Sequence, residues 1–149
     1  MPKNRYRMIY NCDSGELFRR FPAPSSEDQI CMVLDELAGR LDTAAAAGID
    51  RDRLLIDPGF GFAKTPRHNM EVTAWLAMLH GLGCPILFGA SRKSSIARLS
   101  RGEDADHRLP GSLALALAAA GQGAQVLRVH DVAETVQALA LQSAVFEAF

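Results

Sequence analysis

Cysteine is scarce in this sequence, and charge of neither sign dominates it. The three cysteines, Cys12, Cys31 and Cys84, form no C-x-x-C pair in 149 residues. Their number and spacing argue against a disulfide framework and a zinc site, and favour a reducing, cytoplasmic location. Because the net charge is only -1, nothing predicts binding to nucleic acid or to an anionic membrane.

Long apolar segments are also missing. The longest apolar run, Leu113 to Ala120, is far shorter than the roughly 20 residues that a membrane helix needs. The first residues, MPKNRYRMIY, carry charges with no apolar stretch behind them, which is not the pattern of a secretory signal. No P-loop and no dinucleotide-binding glycine motif follows a strand-like run. We therefore expect no membrane partner and no nucleotide site of those two kinds.

Four short apolar, strand-like runs alternate with helical patterns along the chain. The runs cover residues 7–10, 54–56, 86–88 and 126–129. Strands that alternate with helices indicate βαβ units and a parallel sheet. A (β/α)8 TIM barrel contains eight such units in about 250 residues, so an α/β chain of four units corresponds to the half of one. An open doubly wound sheet of four strands is the alternative.

The helical segments carry recognisable start signals and apolar stripes. Ser26 with Gln29 predicts a capping box for a helix that ends near Gly48. Ser112 and Asp131 open two later helices. Apolar side chains at helical spacing predict the faces that pack into the core. These faces are Val33, Leu34, Leu37 and Leu41; Ala74, Trp75, Met78, Leu79 and Leu82; and Val132, Val136, Leu139, Ser143 and Phe146.

The first segment with chemical potential is DPGFGFAKT, residues 57–65, directly after the strand-like run LLI. Asp57 therefore lies at the carboxyl end of a strand, the end at which barrel active sites are built. Pro58 and two glycines predict a tight turn that lets the backbone approach a ligand. A carboxylate beside the aromatic rings of Phe60 and Phe62 suits a planar heterocycle with N–H donors, such as a pterin or a guanine. The alternative is a turn whose aspartate caps the next helix.

The second segment is GASRKSS, residues 89–95, again directly after a strand-like run. Two cations, three hydroxyl groups and the start of a helix together favour an anion site. The alternative is a solvated basic turn.

The third segment is RVHD, residues 128–131. Because side chains alternate along a strand, Arg128 and His130 should point the same way. Both can donate hydrogen bonds to an anion, and the helix after Asp131 adds its positive end. The alternative is an Asp131 that only caps the helix and a buried, structural His130. Lys93, Arg128 and His130 would lie where the last two strands of a barrel commonly form a phosphate site.

The remaining histidines and arginines show no ligand spacing. His68, His80 and His107 are scattered and are interpreted as surface or packing residues. The stretch from Arg101 to Pro110 is interpreted as a polar, mobile loop, with the arginines as loop charges. The charged residues so interpreted are Arg98, Arg101 and Arg108.

The three segments, in this order, resemble the dihydropteroate synthase family of pterin-binding TIM barrels. LLIDPGFGFAKT resembles the aspartate loop of that family, FGASRKSSI its lysine loop and LRVHDVAET its terminal strand. The resemblance covers about residues 33 to 149. It implies a transferase that joins 6-hydroxymethyl-7,8-dihydropterin diphosphate to 4-aminobenzoate in folate biosynthesis and releases diphosphate.

The resemblance also implies a role for each site residue. Asp57 would bind N–H groups of the pterin ring, Lys93 would contact the pterin, and Phe62 would pack on the aminobenzoate. Ser91 would help to bind the aminobenzoate carboxylate, and Arg128 with His130 would hold the diphosphate. The catalytic residues implied are Lys93, Arg128 and His130; the substrate-binding residues are Asp57, Gly61, Phe62, Ser91, Lys93, Arg128, Val129 and His130.

The sequence departs from the family in three places and over a large region. Residues 8–15 lack the usual His-Met-x-Gly pattern of the fifth strand, and Ala63 and Ala97 replace usual glycines. The asparagine that holds Mg²⁺ in the family belongs to its first four strands and has no counterpart here. A four-strand sheet would also leave two open edges. We therefore expect residues 1–149 to form a partial domain that pairs with a missing N-terminal half or forms a homodimer.

Three hypotheses for function follow from the sequence. The chain is part of a dihydropteroate synthase, or a half-barrel that binds a pterin or diphosphate without catalysis, or a remnant whose stability depends on a partner. All three expect small-molecule ligands at most, and none expects nucleic acid or a membrane.

Overall fold

The structure, a computed structural model, describes residues 7–10, 26–62 and 64–148, with the side chains of residues 7–10 and 26–29 outside that description. Four predictions therefore concern features outside the described residues. They are the side-chain pairing of Ser26 with Gln29, the departure from the family pattern within residues 11–15, the environment of Cys12 and the effect of Ala63.

All four strand-like runs form strands. They are β1 (Arg7–Tyr10), β2 (Leu54–Asp57), β3 (Leu87–Phe88) and β4 (Val126–Leu127). β1 pairs with β2 and β3 pairs with β4, both in parallel. A parallel bridge between Ile56 and Ile86 joins the two pairs. The neighbours thus follow chain order, without the reversal of strand order that a doubly wound sheet contains.

Five α-helices follow or precede these strands in the described part of the chain. They are α1 (Ser26–Ala46), α2 (Pro66–Ala74), α3 (Ser94–Leu99), α4 (Leu109–Gly121) and α5 (Val132–Glu147). Short 3-10 helices cover Arg51–Arg53, Leu76–Leu82 and Ala105–His107. Helix α4 begins at Leu109 and not at Ser112, because Pro110 is well suited to a first helical turn.

The hydrophobic core lies between α1 and the sheet. Val33, Leu37 and Leu41 of α1 are fully buried, as the apolar stripe predicted. They pack in one cluster with Leu54 and Ile56 of β2 and with residues of the 3-10 helix Leu76–Leu82. Helix α1 ends where predicted: Gly48 adopts φ +80° and the amide of Ile49 donates to the carbonyl of Ala44.

The predicted core face around Trp75 is wrong for Trp75 and Met78, although Leu79 is buried and Leu82 packs against the core as predicted. Trp75 and Met78 are 44% and 43% exposed, whereas Leu76 and Leu79 are buried. The chain changes from α2 to a 3-10 helix at this point. Because a 3-10 helix has three residues per turn, the inward face runs through Leu76, Leu79 and Leu82 and leaves Trp75 and Met78 outside it.

The predicted core face of the last helix is also wrong. Val132, Val136 and Phe146 are 60%, 60% and 64% exposed. Helix α5 packs on α4 through a different face, where Gln142 Nε2 donates to the carbonyl of Leu117 at 3.0 Å. The exposed stripe borders an apolar groove of about 500 Å³ beside β4, lined also by Leu127 and Leu139.

We predict that Gly111→Ala destabilises the chain because α3 and α4 approach closely at this glycine. A Cβ atom there would lie 2.3 Å from Ile96 Cγ2, so packing must shift at a cost of about 1–3 kcal/mol. Urea unfolding measures the change. Gly39→Ala is the matched control, because its Cβ would meet nothing within 4 Å. It should stabilise α1 by about 0.5–1 kcal/mol. Equal effects of the two substitutions would contradict the prediction.

Candidate active site

Asp57 ends β2 as a buried carboxylate with one unsatisfied oxygen. The residue is 2% exposed, and its Oδ1 accepts a hydrogen bond from the Gly59 amide at 2.8 Å. Its Oδ2 is buried and accepts no hydrogen bond, and Arg128 Nη2 lies 4.0 Å away. Burial raises the pKa of Asp57 more than the Gly59 amide, Arg128 and the two nearby lysines lower it. The free acceptor oxygen therefore suits a ligand with N–H donors.

Asn69 fixes the loop after Asp57. This fully buried side chain accepts from the Gly61 amide at 2.7 Å. Its Nδ2 donates to the carbonyl of Thr65 at 3.0 Å and to Ser95 Oγ at 2.9 Å. Asn69 thus joins the aspartate loop to α3, a role that the sequence pattern did not indicate.

Gly61 gives Lys93 room to enter the site. Gly61 has φ +79°, and a Cβ there would lie 2.9 Å from Lys93 Cδ. The Lys93 ammonium lies 4.2 Å from the centroid of the Phe62 ring, a cation–π distance. Burial first, and then Arg128, lower the pKa of Lys93, while Asp57 opposes them. Phe60 has a structural role instead, since it is buried and stacks edge-on against Phe88.

Arg128 and His130 come from the segment after β4. The Arg128 guanidinium lies over Gly89, where a Cβ would be 3.0 Å from Nε. The His130 amide donates to Ser91 Oγ at 3.2 Å, and His130 Nδ1 lies 2.9 Å from the same oxygen. When the Ser91 hydroxyl donates to Nδ1, the ring proton resides on Nε2. Ser91 therefore orients the imidazole.

These residues surround a cavity of about 320 Å³. Its lining comprises Phe62, Gly89, Ser91, Lys93, Arg128, Val129 and His130. The structure thus brings together the predicted site residues from all three segments. Asp57 and Gly61 are not in the lining but adjoin it through Arg128 and Lys93. Lys93 and Arg128 can bind an anion in the cavity. Beside it, the free oxygen of Asp57 can accept hydrogen bonds from a ring that carries N–H groups.

Two predictions about charged residues are corrected here. Asp131 is the N-cap residue of α5, but its side chain does not cap the helix; it accepts two hydrogen bonds from Arg92. Arg108 is more than a loop charge, because it donates to the carbonyls of Glu103 and Arg92. Both residues contact Arg92. The position of Arg92 between the site residues Ser91 and Lys93 was the sequence feature that could have indicated such contacts.

Among the described residues, the structure shows no metal cage built from protein side chains alone. Within the described ranges, no group of three His, Cys, Asp or Glu side chains lies close enough to hold a metal ion. The carboxylate of Asp57 lies 4.0 Å from Arg128 and is influenced by Lys93, two residues that line the cavity, and its free oxygen suits organic N–H donors. Nor, within those ranges, is any helix both long and apolar enough to cross a membrane.

Known proteins resemble this chain in sequence and in structure. The family described as pterin binding enzyme matches residues 16–130. Dihydropteroate synthase of Escherichia coli strain K12 is 43% identical over 126 residues, which cover 85% of this chain and 44% of that protein. The enzyme of Mycobacterium leprae is 44% identical and is covered to the same 44%. The chain therefore spans less than half the length of these curated relatives.

Solved structures agree with the sequence comparison. The dihydropteroate synthase of Yersinia pestis matches with a TM-score of 0.82 and 36% identity, over 94% of this chain and 54% of that one. The Xanthomonas albilineans enzyme in complex with 7,8-dihydropteroate matches with a TM-score of 0.80 and 44% identity, over 93% of this chain and 49% of that one. The same enzyme was also solved with 4-aminobenzoic acid. The match over most of this chain shows that it belongs to the pterin-binding enzyme family.

Proposed function

We propose that this chain forms the pterin- and diphosphate-binding side of a dihydropteroate synthase. One observation carries the proposal: the unpaired Oδ2 of buried Asp57 lies 4.0 Å from Arg128, beside a cavity that Lys93 and His130 also line. A heterocycle with N–H donors and an attached anion satisfies both parts of this site at once.

The fold is proposed to be the C-terminal half of a (β/α)8 barrel, one partial domain over residues 1–149. Four parallel strands that neighbour each other in chain order support this architecture. So does the match to dihydropteroate synthase structures over about half of their length. The site lies at the carboxyl ends of the strands, where barrel enzymes place theirs.

The pterin would bind through Asp57. The ring N–H groups would donate to the free Oδ2, which relieves the cost of a buried, unpaired carboxylate. Lys93 would lie over the ring edge, and Phe62, which is 38% exposed, would offer its face to the aminobenzoate. The Ser91 hydroxyl is already engaged with His130. Its contribution is therefore the orientation of that imidazole, in addition to any contact with a carboxylate.

The diphosphate would bind to Arg128 and His130. In the proposed reaction, the amine nitrogen of 4-aminobenzoate forms a bond to the methylene carbon of the pterin. The bond from that carbon to the diphosphate oxygen breaks, diphosphate leaves with the electron pair, and the new ammonium loses a proton. Negative charge builds on the leaving oxygens, so the Arg128 cation over Gly89 and the Nε2–H donor of His130, which Ser91 orients, would lower the barrier.

The proposed partners are these small molecules and a second protein unit that completes the barrel. We favour an N-terminal half over a homodimer, because the relatives are about twice as long as the matched region. Mg²⁺, expected for the family, would be held by that other half. A cytoplasmic location is proposed because folate enzymes with this chemistry act on soluble substrates.

The test of the enzyme proposal is complementation in vitro. The full chain is mixed with the part of the Escherichia coli relative that precedes its matched region, together with pterin diphosphate, aminobenzoate and Mg²⁺. We expect release of diphosphate that neither half gives alone and that Lys93→Ala abolishes. Association of the halves without turnover would reject the enzyme.

Binding without catalysis is the second candidate function, favoured by the chain's 44% coverage of its relatives. The cavity and its cations lie within this chain, whereas closure over both substrates would need the rest of the barrel. Diphosphate binding by the chain, combined with failed complementation, would identify this function.

We predict that Arg128→Ala weakens diphosphate binding about tenfold to a hundredfold, the worth of a charge-assisted hydrogen bond. Isothermal titration calorimetry with inorganic diphosphate measures it. Arg53→Ala is the control with the same change of net charge, because Arg53 lies before β2, at the opposite end of that strand. An equal loss in both variants would indicate a general charge effect and contradict the assigned role.

We predict that Asp57→Asn weakens pterin binding but stabilises the free chain at neutral pH. Because burial raises the pKa of Asp57, the folded chain is more stable when this carboxyl group is protonated than when it is ionised. That contribution is complete below the ordinary value of 3.8 and is lost as the pH rises through the raised native pKa. The variant should therefore gain on the order of 1 kcal/mol above that window and nothing below it.

Urea unfolding across the pH range measures this effect, with Asp52→Asn on the exposed turn before β2 as the control. A gain in Asp57→Asn that is independent of pH would contradict the explanation.

A further inference from the structure

Arg92 holds an unusual backbone conformation between two residues of the cavity. Its φ is +57°, and among the described non-glycine residues it is the one with a positive φ. A side chain with a Cβ pays a steric cost in this left-handed region, so the surrounding contacts must enforce it. Ser91 precedes it and Lys93 follows it, and both line the cavity.

The backbone of Arg92 is tied on both sides to α4 and the segment before it. Its amide donates to Ser112 Oγ at 2.9 Å, and Ser112 is buried. Its carbonyl accepts from Arg108 Nη1 at 3.0 Å. The stretch from Arg101 to Pro110, expected from sequence to be a polar, mobile loop, thus reaches back through Arg108 to the residue between Ser91 and Lys93.

The guanidinium of Arg92, which does not line the cavity, donates hydrogen bonds to two carboxylates. Nη2 and Nε donate to Asp131 at 2.5 Å and 3.1 Å, a two-point contact. Nη1 donates to Asp106 at 2.9 Å. Asp131 is adjacent to His130, and its side chain is 15% exposed. The ion pair therefore joins the lysine loop to the segment that carries Arg128 and His130.

Arg92 is paired with carboxylates through hydrogen bonds and does not line the cavity, whereas Lys93 and Arg128 do. The hydrogen bonds to Asp131 raise the pKa of Arg92, and Arg92 in turn lowers the pKa of Asp131. Arg92 is not among the residues that line the cavity. The positive charge of Arg92 is thus compensated by Asp131 and Asp106. Arg92 can therefore affect a ligand only by positioning the neighbouring residues that line the cavity.

We propose that Arg92 is a positioning residue that, through Asp131, holds the lysine loop against the end of β4 so that Lys93 and His130 grip one anion. This inference rests on the proposed function of the cavity as a diphosphate site. It assigns to the Arg of the Ser-Arg-Lys segment a role that differs from direct contact with the anion. It also explains why Asp131 does not use its side chain to cap α5.

The two roles predict opposite effects for Asp131→Asn. If Arg92 bound the anion directly, removal of a competing negative charge would free Arg92 and strengthen diphosphate binding. If Arg92 positions the loops, the same substitution breaks the Arg92–Asp131 ion pair, called the clamp below, and weakens diphosphate binding. Asparagine is a good N-cap residue, so α5 should persist in the variant.

The experiment is calorimetry with inorganic diphosphate on the full chain and four variants: Asp131→Asn, Arg92→Gly, Arg92→Lys and the double variant of Asp131→Asn with Arg92→Gly. Glycine removes the guanidinium and also relieves the positive φ, so loss of binding in a folded Arg92→Gly cannot come from backbone strain. We expect each of the first two to weaken binding about tenfold, a loss of about 1.4 kcal/mol. The double variant should be no worse, and Arg92→Lys should retain part of the affinity.

Asp106→Asn is the matched control, because Asp106 also pairs with Arg92 but its side chain is 84% exposed. It should bind diphosphate as the parent chain does, or slightly more tightly. Tighter binding by Asp131→Asn, or additive losses in the double variant, would overturn the positioning role.

A second measurement separates this inference from the function of the cavity. Hydrogen exchange of the His130 amide reports its bond to Ser91 Oγ without any ligand. We expect faster exchange in Asp131→Asn and Arg92→Gly but not in Asp106→Asn. If the parent chain does not bind diphosphate, the proposed anion site fails, and faster exchange still supports the clamp. Unchanged exchange in both variants overturns it.

Discussion

Parallel strands end at one edge of their sheet, and this constraint places every side chain of the candidate site. Asp57 ends β2, the lysine loop follows β3, and Arg128 follows β4. Because neighbouring parallel strands lie about 4.8 Å apart, loops that are about 35 residues apart in the chain meet within a few ångströms. Local hydrogen bonds from Asn69 and Ser91 then fix the loops at that edge.

Charge is distributed unevenly around this edge. Burial leaves Asp57 with one unpaired oxygen near Arg128 and Lys93, while Arg92 is fully engaged by carboxylates on its other side. The same segment therefore carries one cation that faces the cavity and one that holds the loops. Glycines at 61 and 89 matter because the long side chains of Lys93 and Arg128 lie directly over them.

The outer side of β4 borders an apolar surface that the described residues leave exposed. Val132 and Val136 of α5 are exposed along an apolar groove beside Leu127. The chain spans less than half of the relatives that it matches. An exposed apolar stripe next to a sheet strand is the surface that a further βα unit covers in larger α/β proteins. The apolar stripe of α5 therefore has the periodicity of a core face, although the described residues leave it exposed.

Local patterns in the sequence were enough to predict the four strands, the core face of α1 and the three segments that reach the cavity. Those features depend on local periodicity, turn residues and motif order, which a single chain displays directly. Tertiary structure alone decided which cation faces the cavity. Lys93 and Arg92 are adjacent and chemically alike, and only the positions of Phe62 on one side and Asp131 on the other distinguish them. It also decided the orientation of α5, since an apolar stripe does not specify which surface will cover it.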